Sequence, residues 1–272
     1  MINPGPVQVP LGVLFRALPA LLAAWPALLG AAAPADTAVP SELRLFLLIG
    51  QSNMAGRGIV EPQDRVPHPR IFMLTKDLKW RPAVDPLHYD KPDIAGVGPG
   101  LNFGRVVADA DPKIAVGLIP AAVGSTSLDQ WKPGGELYNN AVARAREAMK
   151  RGRLAGILWH QGESDIAPEQ TASYARRFTA MIAQLRADLD AGDVPVIVGE
   201  PGRFRPANAG INQVLATLPA QVPRCAFVAS VALVDKGDHL HFDTASQREL
   251  GRRFAQAWIK LDKTGTPQGN SK

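Results

Sequence analysis

The chain has 272 residues, 46% of them hydrophobic, and a formal net charge of +5 from 30 Lys and Arg against 25 Asp and Glu. That length suits one large α/β domain with a sizeable core better than two small ones. Charges of both signs are interspersed, with no long basic run and no aromatics alternating with Lys or Arg, which argues against a nucleic-acid partner; the single cysteine, Cys225, rules out an intramolecular disulfide and sits in an apolar segment as a packing residue.

Residues 17–35, ALPALLAAWPALLGAAAPA, carry no charge and follow Arg16. A positive flank, an apolar stretch and the small residues Ala31, Ala32 and Ala33 make the pattern of a secretory signal over 1–35, and with it export to the periplasm or the medium. An uncleaved membrane anchor is the alternative, which Pro19, Pro26 and Pro34 weaken. If the signal is removed, no stable membrane association is expected.

From 41 to 262 short apolar runs alternate with helical patterns. The runs 43–49, 71–74, 114–119, 154–159, 194–198 and 226–231 predict strands buried on both faces. Between them, LYNNAVARAREAMKRG places Leu137, Ala141, Ala145 and Met149 on one helix face, with Gly152 as the stop. SYARRFTAMIAQLRADLDAG does the same with Tyr174, Phe178, Ile182, Leu185 and Leu189. A last helix begins near DTASQREL, where Thr244 and Gln247 fit a capping box and Leu250, Phe254, Ala257 and Leu261 face inward. Strands alternating with helices imply a mainly parallel sheet covered on both sides. Residues 57–103 depart from this rhythm, being rich in Pro, Gly, Asp and His, as functional loops are. The tail, 263–272, is polar and expected to be disordered.

Ligands of a parallel α/β sheet bind beyond the carboxyl ends of its strands. Ser52, in FLLIGQSNMAGRG, falls there, between the first strand and a helix start that supplies free N–H groups and partial positive charge. Taken alone, such a serine is more often a cap or a turn residue. Near the other end of the chain, VDKGDHLHFD holds Asp238 and His241 three residues apart, a spacing that lets the carboxylate reach the imidazole on a compact loop. A serine hydroxyl needs a base to become a nucleophile, and the base needs its tautomer fixed. His239 is a rival base; Asp243 is the rival acid, better suited to capping the last helix. Two further segments, AAVGSTSLDQW and LWHQGESD, each follow a predicted strand and open on the same sheet edge. Gly124 can present its N–H without hindrance and Gln161 offers an amide donor; with the Ser52 N–H they would surround a developing oxyanion.

GQSNMAGRG, VGSTSLDQW, WHQGESD and DHLHFD, in this order and spacing, resemble the SGNH-hydrolase superfamily, and within it the carbohydrate-esterase branch of acetylxylan esterases and sialate-O-acetylesterase-like proteins. The resemblance covers about 43–261. It implies a three-layer α/β/α sandwich with a five-stranded mainly parallel sheet, a metal-independent and cofactor-free reaction, and an acetylated carbohydrate as substrate. It further implies Ser52 as nucleophile, His241 as base, Asp238 as orienting acid, and Ser52, Gly124 and Gln161 as oxyanion donors. Gln161 stands where many members of the superfamily carry asparagine.

Five residues are supporting or substrate-binding candidates: Gln51, Asn53, Arg57, Trp131 and Glu163. Trp131, expected in a loop, is the candidate sugar platform. Arg57 either contacts substrate or braces the first loop. Glu163 either holds its loop or competes with Asp238 for His241. Two other readings stand beside the esterase. One is a metal-dependent hydrolase using His160, Glu163, Asp238, His239 and His241, although no H-E-x-x-H spacing is present. The other is a non-catalytic carbohydrate-binding protein. An α/β-hydrolase elbow, G-x-S-x-G, is excluded, because Met54 follows where glycine is required. The particular sugar and the oligomeric state are not encoded in these motifs.

Overall fold

The computed structural model describes residues 1–5 and 39–265. The chain forms two units, Met1–Asp36 and Thr37–Lys272, and the fold belongs to the second. The predicted export segment lies outside the described residues except for its first five, and so does most of the polar tail. Among the described residues, no helix is long and apolar enough to cross a membrane.

Seven strands make one sheet: β1 (Leu43–Gly50), β2 (Ile71–Leu74), β3 (Trp80–Pro82), β4 (Val116–Pro120), β5 (Gly152–His160), β6 (Val196–Gly199) and β7 (Cys225–Val228). Their order is β3-β2-β4-β1-β5-β6-β7, and every pairing is parallel except β2 with β3. This corrects the expectation of five strands. The six apolar runs all form strands. The seventh strand, three residues that fold back antiparallel on β2, is too short and too polar for its pattern to be read.

The alternation of β1 divides the core. Leu43, Leu45, Leu47 and Ile49 point to one side with Phe72, Tyr138, Ala141, Tyr174, Phe178 and Ile182. Phe46 and Leu48 point to the other with Phe103, Val107, Leu250, Phe254 and Trp258. Helices α3 (Glu136–Met149), α4 (Pro168–Asp188) and α5 (Ala209–Thr217) cover the first face. Helices α2 (Pro99–Ala110) and α6 (Thr244–Gly265) cover the second. Each large apolar side chain so buried contributes roughly 1.5–3 kcal/mol, and a central strand needs both layers to avoid exposing one face to water. The predicted helix faces hold, shifted by one position in places: Tyr138 and Trp258 are buried where Leu137 and Ala257 are only partly so. Cys225 is buried on the edge strand β7, and desolvation pushes its thiol up to about 12, so it packs as an inert group.

The cap of α6 differs from the expected capping box. Asp243 Oδ1 accepts from Ser246 N–H at 2.7 Å, whereas the Thr244 hydroxyl donates to the Ile59 carbonyl at 2.8 Å. Thr244 thereby ties the start of the last helix to the loop after Ser52.

Candidate active site

The turn after β1 is set by close packing. Gly50 has φ of +129°, and a Cβ there would lie 2.1 Å from the His160 carbonyl oxygen, so only glycine fits. Gln51 N–H donates to the same carbonyl at 2.8 Å. Ser52 then opens the short helix α1 (Ser52–Ala55). As its first residue, Ser52 has an N–H with no acceptor inside the helix.

His241 Nε2 lies 3.0 Å from Ser52 Oγ, although 189 residues separate them. On its other side, Nδ1 lies 2.7 Å from Asp238 Oδ2. Burial pushes the Asp238 carboxyl up, but the His241 N–H, the His241 ring and the Leu240 N–H outweigh it and bring it down to about 2. An ionised carboxylate only accepts, so Nδ1 carries the hydrogen and Nε2 faces the hydroxyl as acceptor. Chemically this arrangement can draw a proton from Ser52. The loop 234–243 that carries both residues is closed by Lys236 N–H to His241 O and by Asp243 N–H to Val234 O. The rival base points elsewhere: the His239 ring is 83% exposed and faces Asp235.

Gly124 sits against the serine. A Cβ on it would meet Ser52 Cβ at 3.4 Å and Arg57 Nη2 at 2.6 Å. Its N–H already donates to Asp90 Oδ2 at 2.8 Å, and Arg57 Nη2 donates to the same oxygen at 2.6 Å. Burial raises the Asp90 carboxyl, but Arg57 and the Gly124 N–H more than offset it and hold it below the usual range. Arg57 also donates from Nη1 to the Gly56 carbonyl at 2.7 Å, so in the free protein it ties the first loop to Asp90. Close by, His88 is fully buried, and desolvation pushes it down to about 4, so it stays neutral.

Gln161 is fully buried, and its two amide hydrogens are taken up. Nε2 lies 2.7 Å from Asp165 Oδ2 and 3.1 Å from both Gln51 Oε1 and the Thr126 carbonyl. Its Oε1 accepts from the Tyr174 hydroxyl at 2.7 Å. Asp165 in turn accepts from Leu128 N–H and from Arg177. This network fastens together the loops after β1, β4 and β5. In the free protein the network gives Gln161 a bracing role in place of the expected open donor, with both amide hydrogens engaged within the loops.

Trp131 also departs from expectation. It is 1% exposed, donates to Thr126 Oγ1 at 3.1 Å and packs edge-on against Trp159. The apolar layer under the loop claims the indole, so it cannot act as a sugar platform. Glu163 is buried and accepts from Asn53 Nδ2 at 2.6 Å, while Asp238 holds the His241 ring. His160 is fully buried, held neutral by desolvation, with Nε2 3.1 Å from the Glu200 carbonyl. Among the described residues, no group of three or more His, Cys, Asp or Glu side chains is arranged to hold a metal ion.

Sequence reasoning assigns no site role to Asp90, Asp165, Tyr174 or Thr126. Asp165 closes the WHQGESD motif and is legible there. Asp90 lies in the aperiodic 57–103 stretch, where nothing marks one aspartate over another.

A mainly parallel sheet between two helical layers, with a serine at the end of its first strand and a histidine just before its last helix, is the α/β/α plan of SGNH-like hydrolases. The family described as "carbohydrate esterase, sialic acid-specific acetylesterase" matches residues 42–260, and the chain belongs to that family. It is accordingly a carboxylic ester hydrolase of the carbohydrate acetylesterase kind. A protein named probable carbohydrate esterase At4g34215, from Arabidopsis thaliana, is 34% identical over 240 residues, covering 79% of this chain and 90% of that protein. Its crystal structure superposes with a TM-score of 0.75 at 31% identity, over 80% of this chain and 98% of that one. The crystal structure of NanS shares the fold at 18% identity and a TM-score of 0.71, over 83% and 99% of the two chains. So does a carbohydrate acetylesterase from Xanthomonas citri, at 17% identity and 0.62, over 82% and 57%.

Proposed function

We propose that this chain is a serine esterase that removes O-acetyl and other short acyl groups from carbohydrates, such as acetylated xylan or O-acetylated sialic acid. The observation that carries the reading is the 3.0 Å approach of Ser52 Oγ to His241 Nε2, with the imidazole held at its far nitrogen by Asp238. His241 takes the hydroxyl proton as Oγ attacks the ester carbonyl, and the carbonyl oxygen becomes an oxyanion beside the first turn of α1. Ser52 N–H is one donor to it. Gly124 N–H is the second, once the oxyanion takes the place that Asp90 Oδ2 occupies in the free protein. The tetrahedral intermediate collapses, the sugar alkoxide leaves with the proton from His241, and an acyl-serine remains. Water, deprotonated by His241, attacks that ester, and acetate leaves as the proton returns to Ser52. No cofactor enters this sequence.

The test is acetate release from acetylated xylan, O-acetylated sialic acid and an aryl acetate, run beside Ser52→Ala. The variant is expected to lose about four to six orders of magnitude in kcat, and an organophosphorus reagent is expected to label Ser52 alone. Turnover retained in Ser52→Ala, or binding of acetylated glycan with no acetate released by the native chain, overturns the reading. Export is part of the same proposal: the charge-free stretch ahead of the domain supports it, and the intact mass of the secreted protein, short by the 1–35 segment, is the measurement that checks it.

A further inference from the structure

Asn53 is the residue beside Ser52, fully buried, and its side chain leaves its own helix to reach the loop that carries His241. Its Oδ1 accepts from Phe242 N–H at 3.1 Å, and its Nδ2 donates to the Leu240 carbonyl at 3.1 Å. One planar amide therefore grips the backbone on both sides of His241. The remaining Nδ2 hydrogen goes to Glu163 Oε1 at 2.6 Å, and Gln247 Nε2 approaches Oδ1 at 3.4 Å. Two donors and two acceptor positions are all engaged, and no other side chain of this length offers both kinds.

Glu163 adds direction. Its side chain is 1% exposed, and its second oxygen has no hydrogen-bond partner, so its one strong bond is to Asn53. Glu163 Oε1 and the Leu240 carbonyl accept while the Phe242 N–H donates, so Glu163 reinforces the direction in which Nδ2 faces the first two and Oδ1 the third. A reversed amide would set oxygen against oxygen on one side and hydrogen against hydrogen on the other. The loop needs such a tie. Residues 236–239 are exposed, and the short distance between Ser52 and His241 joins two elements that share no covalent constraint nearby. Burial of Phe242 against His160 and Phe204 anchors the loop but does not fix the height of the neighbouring imidazole.

We propose that Asn53 is the positioning residue that holds His241 in line with Ser52, and that Glu163 reinforces the direction of its amide. The inference rests on the Ser52–His241 reading above. Its test compares Asn53→Ala, Asn53→Asp, Glu163→Gln and the double variant N53D/E163Q on an aryl acetate, with Ser52→Ala as control. Because about 1 Å of misplacement lowers a rate by about 10²-fold, Asn53→Ala is expected to lose about 10²-fold in kcat with KM within about threefold. The rate of organophosphorus labelling of Ser52 should fall by the same factor. Asn53→Asp should lose at least as much, by setting two carboxylates face to face. Glu163→Gln should lose less than about tenfold, since its amide oxygen still accepts. In the double variant the amide that replaces the Glu163 carboxylate can donate to the new carboxylate at position 53, which removes that repulsion but not the one with the Leu240 carbonyl, so kcat should recover part of the Asn53→Asp loss. Near-ultraviolet circular dichroism and the melting temperature separate this from general damage. The proposal is overturned by folded Asn53→Ala with kcat within about threefold of the native chain, by a loss confined to KM, or by a double variant no faster than Asn53→Asp. The last comparison decides the matter if Asn53→Ala does not fold. If Ser52→Ala keeps its turnover, the esterase reading itself has failed, which is a different result.

Discussion

The two halves of the site are built in opposite ways. The half around Ser52 is sunk into the sheet edge: Gln51, Arg57, Gln161, Asp165 and Trp131 are all buried, and three loops are locked by one hydrogen-bond network. The half that carries Asp238 and His241 is a surface loop, with the Asp238 side chain 37% exposed and that of His241 17% exposed. Rigidity in the buried half is supplied by packing and by hydrogen bonds among buried polar groups. On the proposed reading the exposed half exchanges protons with leaving group and water, which suits a loop that lies near solvent and takes its position from a few strong bonds.

Substitutions in the two halves should therefore fail differently. The largest effect is expected on the exposed side, where Asp238→Asn removes the acceptor that fixes the His241 tautomer. It should lower kcat/KM by about 10²–10⁴-fold while lowering the urea midpoint only modestly, because solvent screens the partly exposed pair and discounts the stability that its depressed carboxyl contributes. Next comes the buried side. Asp90→Ala strands the Arg57 guanidinium, 2% exposed, without its partner, and should destabilise by about 3–5 kcal/mol in urea unfolding. Arg57→Met in the same chain should restore part of that loss. Equal effects of the two substitutions on stability would break the comparison.

The pH dependence sharpens it. The Asp238 carboxyl is depressed to about 2, as is that of Glu249, held by Arg252 and Arg253 on α6 against the smaller pull of burial. A depressed carboxylate contributes stability above its unfolded pKa and loses it as pH falls through the folded value. The urea midpoint should therefore hold from about pH 7 down to about 5 and fall between about 4 and 2. Asp238 stays ionised over the whole range above that window. The acid limb of kcat/KM should accordingly follow a single group, and a slope of two would contradict the assignment. The smallest effect is expected from His239→Ala, whose ring faces solvent and Asp235: activity should stay within about twofold, the scale of an ordinary surface change.

How much of this was readable beforehand follows from the kind of signal each feature leaves. The five inner strands announce themselves because a strand buried on both faces must be apolar throughout; of the two edge strands, Cys225–Val228 is still legible from its apolar run, whereas Trp80–Pro82 is too short and too polar. Ser52, Asp238 and His241 stand out because each sits in a compact motif beside a strand end or helix start. Trp131 and Gln161 are marked by their motifs along the chain, but their surroundings in space are not. A tryptophan in an irregular segment looks exposed until the neighbouring Trp159 is known to lie against it. A glutamine amide looks free until Asp165, Gln51 and Thr126 are seen to surround it.

The sequence by itself determined the layered α/β plan, the edge of the sheet at which chemistry could occur, and the residue types gathered there, since hydrophobic period and local motif are written along the chain. Tertiary structure alone decided which polar groups remain open to a substrate. Hydrogen bonds over separations of a hundred residues or more, such as Asn53 to Glu163 and Asn53 to Phe242, spend donors and acceptors that no local pattern accounts for. Whether a buried amide braces the site or serves it depends on that long-range pairing.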